Sequence, residues 1–336
     1  MNETTIIRFH ELGGPDVLRY EKAPIPEPGS GEMRLRVEAI GVGFGECLYR
    51  MGHYLYETTL PSSLGNHAVG TVEAVGPDVK EPRVGERVSL IPSFLMNRYG
   101  VYAEHAVVPA SAWAPYFPSL SLEENASLWM QVTTAYGALV YYGKVAEGDA
   151  VLVIPSSGGV GMAALQTCKK AGATAIGVTR SRAKFDAVKR MGADHVVVTD
   201  EENLADRVRE LTGGKGVRLV FNGLAGDILN SLVDVLSPGG TVFMFGAIGG
   251  KPTPLPLHQL IGKGARIQGY TLYELTYHAE NLPAIRRYVS EGVRDGHYTA
   301  NVGKVFQFGE MVEVHRYLEK GDMSGSVVVT MQGGGR

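Results

Sequence analysis

Short apolar runs recur through the middle of the chain at nearly constant spacing. From residue 151 onward the runs VLVI, TAIGV, HVVV, RLVF, TVFMF and RIQGY begin 21 to 25 residues apart. Four stretches with helix-like patterns lie between the first five runs, at residues 160–171, 182–191, 203–211 and 227–236. Buried parallel strands are nearly continuous in apolar residues and alternate with covering helices. The pattern predicts an α/β fold with a doubly wound parallel sheet.

The chain before about residue 124 has a different pattern. Short β-rich runs, including MRLRVEAIGV, GTVEAVG and RVSLIP, are separated by glycine and proline, which is typical of a mostly antiparallel domain. After residue 267 a helical segment (278–296), the strand VFQF, a second helical segment (309–321) and the strand SVVVT follow. We expect this tail to return to the first domain, so that residues 1–124 and 267–336 form one domain and residues 125–266 the other.

Composition narrows the functional classes. Hydrophobic residues make up 44% and charged residues 20% of 336 residues, which is typical of a globular protein. A net charge of −3 disfavours nucleic acid and anionic membranes as partners. No run approaches the roughly 20 apolar residues of a membrane span, and the first residues lack the pattern of a secretion signal, so we expect a cytoplasmic protein. Two cysteines are too few for a disulfide framework.

A glycine cluster directly follows the first run of the α/β region. In VLVIPSSGGVGMAALQ, Gly158 and Gly159 allow a tight turn close to a pyrophosphate, and Gly161 allows the next helix to pack on the strand. The amides at the start of that helix favour an anion. A nucleotide site is therefore predicted here, with a purely structural turn as the alternative. Cys168 shares a helical face with Val160 and is predicted to be a core residue.

The end of the second run predicts which dinucleotide binds. Thr179, Arg180, Ser181, Arg182 and Lys184 stand where enzymes specific for NAD place an acidic residue. Hydroxyl groups and cations suit a 2′-phosphate, so the cofactor is predicted to be NADPH. The alternative is a solvated basic surface on an enzyme that also accepts NAD.

Several motifs together resemble the medium-chain dehydrogenase/reductase superfamily, within its zinc-free quinone oxidoreductase and enoyl reductase branch. They are GPDVLRY, PEPGSGEMRLRVEAIG, GTVEAVG, VGERV, YGVYAEHAVVP, LWMQVTTAYGALV and SSGGVG. The resemblance implies a Rossmann cofactor domain inserted in a mostly β, GroES-like catalytic domain. The candidate cofactor-binding residues are Thr134, Ser157, Gly158, Gly159, Val160, Gly161, Thr179, Arg180, Ser181, Lys184, Asn222, Phe245, Gly246, Ala247, Tyr270 and Leu272.

Cys47 and His67 are separated by nearly the spacing of two zinc ligands in related alcohol dehydrogenases, so their spacing alone would indicate a zinc site. Alignment on the flanking motifs VEAIG and GTVEAVG instead implies that the three family ligand positions are Gly43, Asn66 and Met130. None of the three is a zinc ligand. We therefore expect no metal.

By the same resemblance, His67 replaces a usual glutamate and Cys47 follows the position of a usual aspartate, here Glu46. A rebuilt metal site of Cys47, His67 and one carboxylate is the alternative to a hydrogen-bonded structural histidine. Quinone reductases commonly have asparagine at the Gly43 position, near the nicotinamide ribose, so the contact made there is open.

The segment YRMGHYLYETTLP resembles the part of some enoyl reductases that brings a tyrosine over the nicotinamide, and Tyr54 matches that tyrosine. Tyr54 is the catalytic candidate as a proton or hydrogen-bond donor, and the alternative is that it forms a wall of the substrate pocket or has a packing role. Arg50, His53 and Tyr56 are further substrate-pocket candidates, for which a solvated surface role is the alternative. Phe94, Trp129, Tyr136 and Tyr273 line either an apolar pocket or the core.

The resemblance implies reduction of a quinone or an α,β-unsaturated carbonyl compound, a small molecule, with NADPH. Two alternatives remain open: an enone or enoyl-thioester reductase of secondary metabolism, and an NADPH-binding protein with little catalysis. We also expect a homodimer, because TVFMFG and RIQGYTL lie where relatives pair sheet edges.

Overall fold

The computed structural model describes residues 3–331. The strands are β1 (Glu3–Arg8), β2 (Arg19–Pro24), β3 (Glu32–Val42), β4 (Ala68–Val75), β5 (Arg87–Leu90), β6 (His105–Pro109), β7 (Trp113–Pro115), β8 (Ala150–Ile154), β9 (Thr174–Thr179), β10 (His195–Val198), β11 (Val217–Leu224), β12 (Leu236–Ile248), β13 (Arg266–Gly269), β14 (Val302–Gln307) and β15 (Ser326–Thr330). The α-helices are α1 (Phe44–Arg50), α2 (Leu122–Ala135), α3 (Gly159–Lys170), α4 (Phe185–Arg190), α5 (Leu204–Leu211), α6 (Ile228–Asp234), α7 (Leu257–Lys263), α8 (Tyr273–Thr276), α9 (Leu282–Arg294) and α10 (Met311–Glu319).

Strands β8 to β13 form one parallel sheet in the order β10-β9-β8-β11-β12-β13. The sequence of strands reverses direction between β8 and β11, which is the switch point where ligands bind in doubly wound sheets. Each of the six apolar runs became one of these strands, and the four predicted helices correspond to α3, α4, α5 and α6. The predicted doubly wound sheet is therefore confirmed.

Local sequence explains how these helices begin and pack. Asn203 precedes α5, and its side chain accepts a hydrogen bond from the Asp206 amide at 3.1 Å. Leu204 and Val208, four residues apart, are buried against the sheet with Val197. Spacing of this kind fixes one apolar face for each helix.

The other sheet has seven strands and is mostly antiparallel. Its order is β14-β15-β3-β4-β5-β7, with β6 paired to β3, and only the β14–β15 pair is parallel. Strands β1 and β2 form a separate antiparallel pair. Alternate residues of β3, including Met33, Leu35 and Val37, point into the core of this unit. The mostly β, GroES-like expectation is confirmed.

The chain divides into two compact units. Of the described residues, one unit contains 3–130, 276–286 and 300–331, and the other contains 131–275 and 287–299. The division differs from the predicted boundaries, because segments outside residues 125–266 pack on the parallel-sheet unit. For example, the Tyr298 hydroxyl lies 3.2 Å from the Thr167 hydroxyl of α3. Within residues 3–331, no helix is long and apolar enough to cross a membrane.

Candidate active site

Strand register brings the predicted cofactor-binding segments to one edge of the parallel sheet. Asn222 of β11 is paired with Ile154 of β8 on one side and with Met244 of β12 on the other. Met244 in turn is paired with Gly269 of β13. The carboxyl ends of these strands are therefore level, and the glycine turn follows β8 at this edge. This is where a dinucleotide binds in such sheets.

The glycines of the turn have different steric surroundings. A Cβ at Gly161 would lie 2.2 Å from the Pro155 carbonyl oxygen, so only glycine allows α3 to approach β8 this closely. A Cβ at Gly158 would meet no atom of the described residues within 4 Å. Gly158 is the N-terminal cap of α3, and Ser157 before it is buried. Space and amide groups are thus available for a pyrophosphate at Gly158.

The phosphate-binding candidates lie together at the end of β9. Thr179 is buried, and its hydroxyl has no hydrogen-bond partner within residues 3–331. Ser181 caps a 3-10 turn that contains Lys184, and its hydroxyl accepts from the Ala183 amide at 3.3 Å. Arg180 directly follows the strand and is exposed. The hydroxyls and cations expected for a 2′-phosphate are therefore close in the chain and at one strand end.

Arg182, in the same turn, has a carboxylate partner. Its guanidinium donates from Nε to both Glu201 carboxylate oxygens at 3.1 and 3.0 Å, and a further contact joins Nη2 to Glu201. The ring of Phe185 lies 4.8 Å from the guanidinium. Arg182 is thus a member of a surface ion pair.

Asn222 has a structural contact set. It is completely buried, its amide donates to the Leu224 carbonyl at 2.9 Å, and its carbonyl accepts from the Leu224 amide at 3.0 Å. Phe245 stacks on Phe221 with ring centroids 4.0 Å apart. Gly246 and Ala247 follow Phe245 at the end of β12, where Ala247 is exposed. The amide of Asn222 therefore orders the end of β11.

The remaining cofactor candidates follow β13 or lie on α2. Tyr270 is buried with its hydroxyl in a notch that Gly137 provides, because a Cβ at Gly137 would lie 1.9 Å from that oxygen. Leu272 is half-buried, and Tyr273 is buried at the start of α8. Thr134, near the end of α2, is also buried. The Tyr270 ring has a packing role in this unit.

Tyr54, the catalytic candidate, lies in a cluster of tyrosines in the mostly β unit. Its ring contacts Tyr49 and Tyr56 edge to face, with centroids 6.2 and 5.0 Å apart. A Cβ at Gly45 would lie 3.2 Å from the Tyr54 ring and 3.7 Å from its hydroxyl, so the first turn of α1 directly faces this side chain. The Tyr56 hydroxyl accepts from the Met96 amide at 3.1 Å. Tyr54 is half-buried.

Arg50 and His53 have different environments. His53 is exposed, which agrees with the solvated surface role given above as the alternative to a place in the substrate pocket. Arg50 is 0% exposed, so the surface alternative is wrong for this residue. Its guanidinium donates to the Gly13 carbonyl at 3.1 Å and to His315 Nδ1 at 3.2 Å, and it forms an ion pair with Glu319. Each guanidinium nitrogen has a partner inside this unit, because a buried charge requires one.

Phe94 and Trp129 have the surroundings of core residues. Phe94 is buried and lies 5.8 Å from the Tyr99 ring. The Trp129 indole is stacked on Phe117 at 5.6 Å and donates to the Pro115 carbonyl at 3.0 Å. These contacts favour the core alternative for both residues.

The family's zinc positions do not provide a zinc site. A Cβ at Gly43 would lie 3.8 Å from the Met130 methyl group, so these two positions are neighbours. Gly43 has no side chain, Met130 offers only a thioether, and the carbonyl of the Asn66 amide lies 2.8 Å from His67 Nδ1. Zinc in proteins is held by thiolate, imidazole and carboxylate groups. The residues at these positions do not fit the ion.

Cys47 does not join His67 in a rebuilt site. Its sulfur lies 3.5 Å from His315 Nδ1, and with Glu319 these groups place three ligand atoms within 4.8 Å of one another. The Arg50 guanidinium bonds to both His315 and Glu319, so a cation already lies in this cluster. Burial raises the pKa of the Cys47 thiol and therefore keeps it protonated.

Glu46 is a residue of this region that was not among the predicted site residues. It is buried beside His67, with Glu46 Oε1 3.7 Å from His67 Nδ1. Burial raises the Glu46 pKa to about 7 and lowers the His67 pKa to about 4. His67 Nδ1 makes a hydrogen bond with the Asn66 side-chain oxygen, and this contact favours the structural alternative over a metal ligand. The feature of the sequence that could have indicated a role for Glu46 at the start of α1 is its position three residues after the helix cap Gly43.

Comparison with known proteins places this arrangement in a family. The family described as alcohol dehydrogenase GroES-like domain matches residues 29–118, and the family described as zinc-binding dehydrogenase matches residues 159–289. A 2-haloacrylate reductase of Burkholderia sp is 30% identical over 331 residues, covering 96% of this chain and 98% of that protein. A quinone oxidoreductase of Pseudomonas aeruginosa is 30% identical over 324 residues, with the same coverage.

A solved structure agrees with these relatives. A mycobacterial protein complexed with NADPH has a TM-score of 0.89 and 33% identity to this chain, covering 97% of this chain and 99% of that one. The likeness therefore extends over nearly the whole length of this chain. The chain belongs to the medium-chain dehydrogenase/reductase superfamily, in its quinone oxidoreductase branch.

Proposed function

We propose that this protein uses NADPH to reduce a quinone or an α,β-unsaturated carbonyl compound, without zinc. The observation that carries the proposal is the open turn at Gly158, at the same sheet edge as the buried and unpartnered Thr179 hydroxyl. An adenine dinucleotide places its pyrophosphate at such a turn and its ribose at the end of the next strand. Arg180 and Lys184 supply cations for a 2′-phosphate.

Bound NADPH supplies the hydride, and the protein supplies binding, orientation and charge stabilisation. Reduction of a conjugated carbonyl places negative charge on the substrate oxygen, which requires a hydrogen-bond donor. Tyr54 is our candidate for that donor. The two relatives support this acceptor class, because one is named for reduction of a haloacrylate, an activated alkene, and the other for quinones.

Zinc independence is supported by the residues at the three family ligand positions. Gly43, Asn66 and Met130 offer no thiolate, imidazole or carboxylate. A tyrosine donor replaces the Lewis acid in this proposal.

The test is oxidation of NADPH and of NADH by purified protein of known metal content, with 1,4-benzoquinone, 9,10-phenanthrenequinone and a series of short enones as acceptors. We expect NADPH-selective turnover without stoichiometric zinc. A double variant, Arg180→Ser with Lys184→Ser, should lose the preference for NADPH, whereas Lys215→Ser, an exposed lysine of the same unit, should retain it. Stoichiometric zinc, or equal use of both cofactors by the unmodified protein, would contradict the proposal.

The acceptor panel also separates the second candidate, an enone or enoyl-thioester reductase of secondary metabolism. Gly43 and His67 differ from the residues that the family usually has at these positions, and these differences alter the side chains beside α1. Such differences favour a specialised substrate. Faster turnover of enones than of quinones would select it. Tight NADPH binding without turnover of any acceptor would instead indicate a cofactor-binding protein.

We further propose that the protein is a homodimer paired through the β13 edge. Strand β13 ends the parallel sheet, and four large apolar side chains of the adjoining segment are exposed: Ile248, Leu255, Leu257 and Ile261. An unpaired strand edge with apolar neighbours is stabilised when a second copy covers it. Light scattering after size-exclusion chromatography tests this, and Ile261→Glu should shift the mass to that of a monomer.

A further inference from the structure

The buried groups beside the first turn of α1 form a continuous arrangement. Glu46 Oε2 accepts a hydrogen bond from the Gly43 amide at 3.1 Å, which closes the N-terminal cap of the helix. Glu46 Oε1 has no hydrogen-bond partner among the described residues and lies 3.7 Å from His67 Nδ1. Side-chain exposure is 4% for Glu46 and 3% for His67. The carboxyl group therefore joins the helix cap to a buried imidazole.

His67 has a fixed position in this arrangement. A Cβ at Gly41 would lie 2.4 Å from His67 Nε2, so the ring lies directly on the backbone of β3. On its other side Nδ1 contacts the Asn66 amide at 2.8 Å. The imidazole cannot move away from Glu46 without disturbing the strand.

The other side of the same helical turn faces the catalytic candidate. Gly45 is the second residue of that turn, and a Cβ built on it would lie 3.2 Å from the Tyr54 ring and 3.7 Å from its hydroxyl. A shift of this turn would therefore change the position of the hydroxyl. Small displacements of a donor have large effects on rate.

We propose that Glu46 is a positioning residue for the reduction, whose protonated carboxyl, held beside His67, fixes the first turn of α1 against Tyr54. This inference rests on the proposed function, because it concerns the donor of that reaction. A neutral carboxyl can accept from the Gly43 amide while it is buried at low cost. An ionised carboxyl without a partner for Oε1 carries a large desolvation penalty. Ionisation therefore favours a rearranged turn and a displaced Tyr54.

The buried titratable groups packed around Glu46 have pKa values far from neutral or belong to an ion pair. On its own helix are Cys47, whose pKa burial raises, and Arg50, which is paired with Glu319. Tyr102, in the segment before β6, has its pKa raised well above the ordinary value by burial. His67 has a pKa of about 4, and His315 of α10 a pKa of about 3, lowered by burial and by Arg50. Among these groups, Glu46 is the one whose pKa, at about 7, lies near neutral.

The experiment compares pH profiles of kcat for the full-length protein, Glu46→Gln and Glu57→Gln. Glutamine keeps an acceptor for the Gly43 amide and does not ionise, whereas Glu57 is an exposed carboxylate of the same unit. We expect kcat of the unmodified protein to fall about tenfold from its plateau by pH 8, as one ionisation near 7 requires. Glu46→Gln should keep the plateau kcat within about twofold up to pH 8, and Glu57→Gln should follow the unmodified protein.

An infrared measurement tests the carboxyl group without any acceptor. At pH 6, the spectrum of the unmodified protein minus that of Glu46→Gln should contain the carbonyl band of one protonated carboxylic acid, and this band should be lost from the difference by pH 8.5. If the band behaves in this way but kcat of Glu46→Gln still falls above pH 7 as it does in the unmodified protein, the positioning role is refuted while the proposed function stands. Lack of turnover by the unmodified protein would overturn the proposed function and the role together. If the difference spectrum contains no such band at pH 6, the protonated state of Glu46 is overturned.

Discussion

The opposite pKa shifts of Glu46 and His67 predict a pH dependence of stability that single substitutions reveal. The folded state keeps a proton on Glu46 up to about pH 7, whereas the unfolded chain loses it near 4.5. Its contribution to stability is complete below pH 4.5 and is lost as the pH rises to 7. His67 has the reverse behaviour, because its pKa falls from 6.5 to about 4. Its contribution is complete above pH 6.5 and is lost as the pH falls to 4.

The magnitude follows from the two shifts. Each is about 2.5 pKa units, and one unit corresponds to about 1.4 kcal/mol, so each group changes the free energy of unfolding by about 3 kcal/mol over its range. Between pH 4.5 and 6.5, Glu46 lowers and His67 raises the free energy of unfolding with increasing pH, so the two effects nearly cancel in the unmodified protein. Glu46→Gln removes one slope and retains the acceptor for the Gly43 amide. Relative to the unmodified protein, this variant should gain about 3 kcal/mol between pH 4.5 and 7.5.

Urea unfolding followed by tryptophan fluorescence measures this difference. Both tryptophans of the chain, Trp113 and Trp129, lie in the unit that contains Glu46, so the signal reports on that unit. The matched control Glu57→Gln should show a pH-independent difference. The complementary variant His67→Gln removes the pH dependence of stability that His67 contributes. Relative to the unmodified protein, its free energy of unfolding should rise as the pH falls from 6.5 to 4. A difference for Glu46→Gln that does not vary with pH would refute the reasoning.

Three other predictions concern separate parts of the structure. Gly158→Ala should leave the stability of the protein unchanged and weaken NADPH binding, measured by fluorescence titration. Gly161→Ala should lower the free energy of unfolding by about 3 kcal/mol, because its Cβ would clash with the Pro155 carbonyl. Equal effects of the two variants would contradict this assignment. Tyr54→Phe should lower kcat about a hundredfold with unchanged NADPH affinity, and an unchanged kcat would exclude Tyr54 as donor. Arg50→Met should cost about 3 kcal/mol in urea unfolding, and a neutral result would show that the buried pair is dispensable.

The architecture was predictable because its signal is local. Six apolar runs at regular spacing became β8 to β13, and the glycine cluster predicted the turn between β8 and α3. Parallel strands buried on both faces require such runs, so sequence alone was sufficient. The positions of the unit boundaries were less predictable, since contacts such as that of Tyr298 with Thr167 join segments 131 residues apart.

The candidate site was predictable where backbone geometry determines it, and less so where distant side chains meet. Gly158 and Gly161 are recognised from their spacing, although only the structure distinguishes the open position from the crowded one. Arg50 was expected near a pocket or in solvent, because nothing in the sequence places Glu319 beside it. Asn222 likewise uses its amide on its own strand end. Long-range partners of buried polar groups have no local pattern.

The departures from the family pattern around α1 have a common electrostatic consequence. A cation beside Glu46 would favour its ionised form. The positions that the family resemblance assigns to zinc ligands are Gly43, Asn66 and Met130 in this chain. Arg50, the buried arginine of the same helix, is already paired with Glu319. Without a compensating charge, burial determines the state of the carboxyl and raises its pKa to about 7. In the proposed zinc-free protein, the residues at these positions leave the Glu46 carboxyl without a compensating cation, and placing a cation there should return the Glu46 pKa toward 4.5.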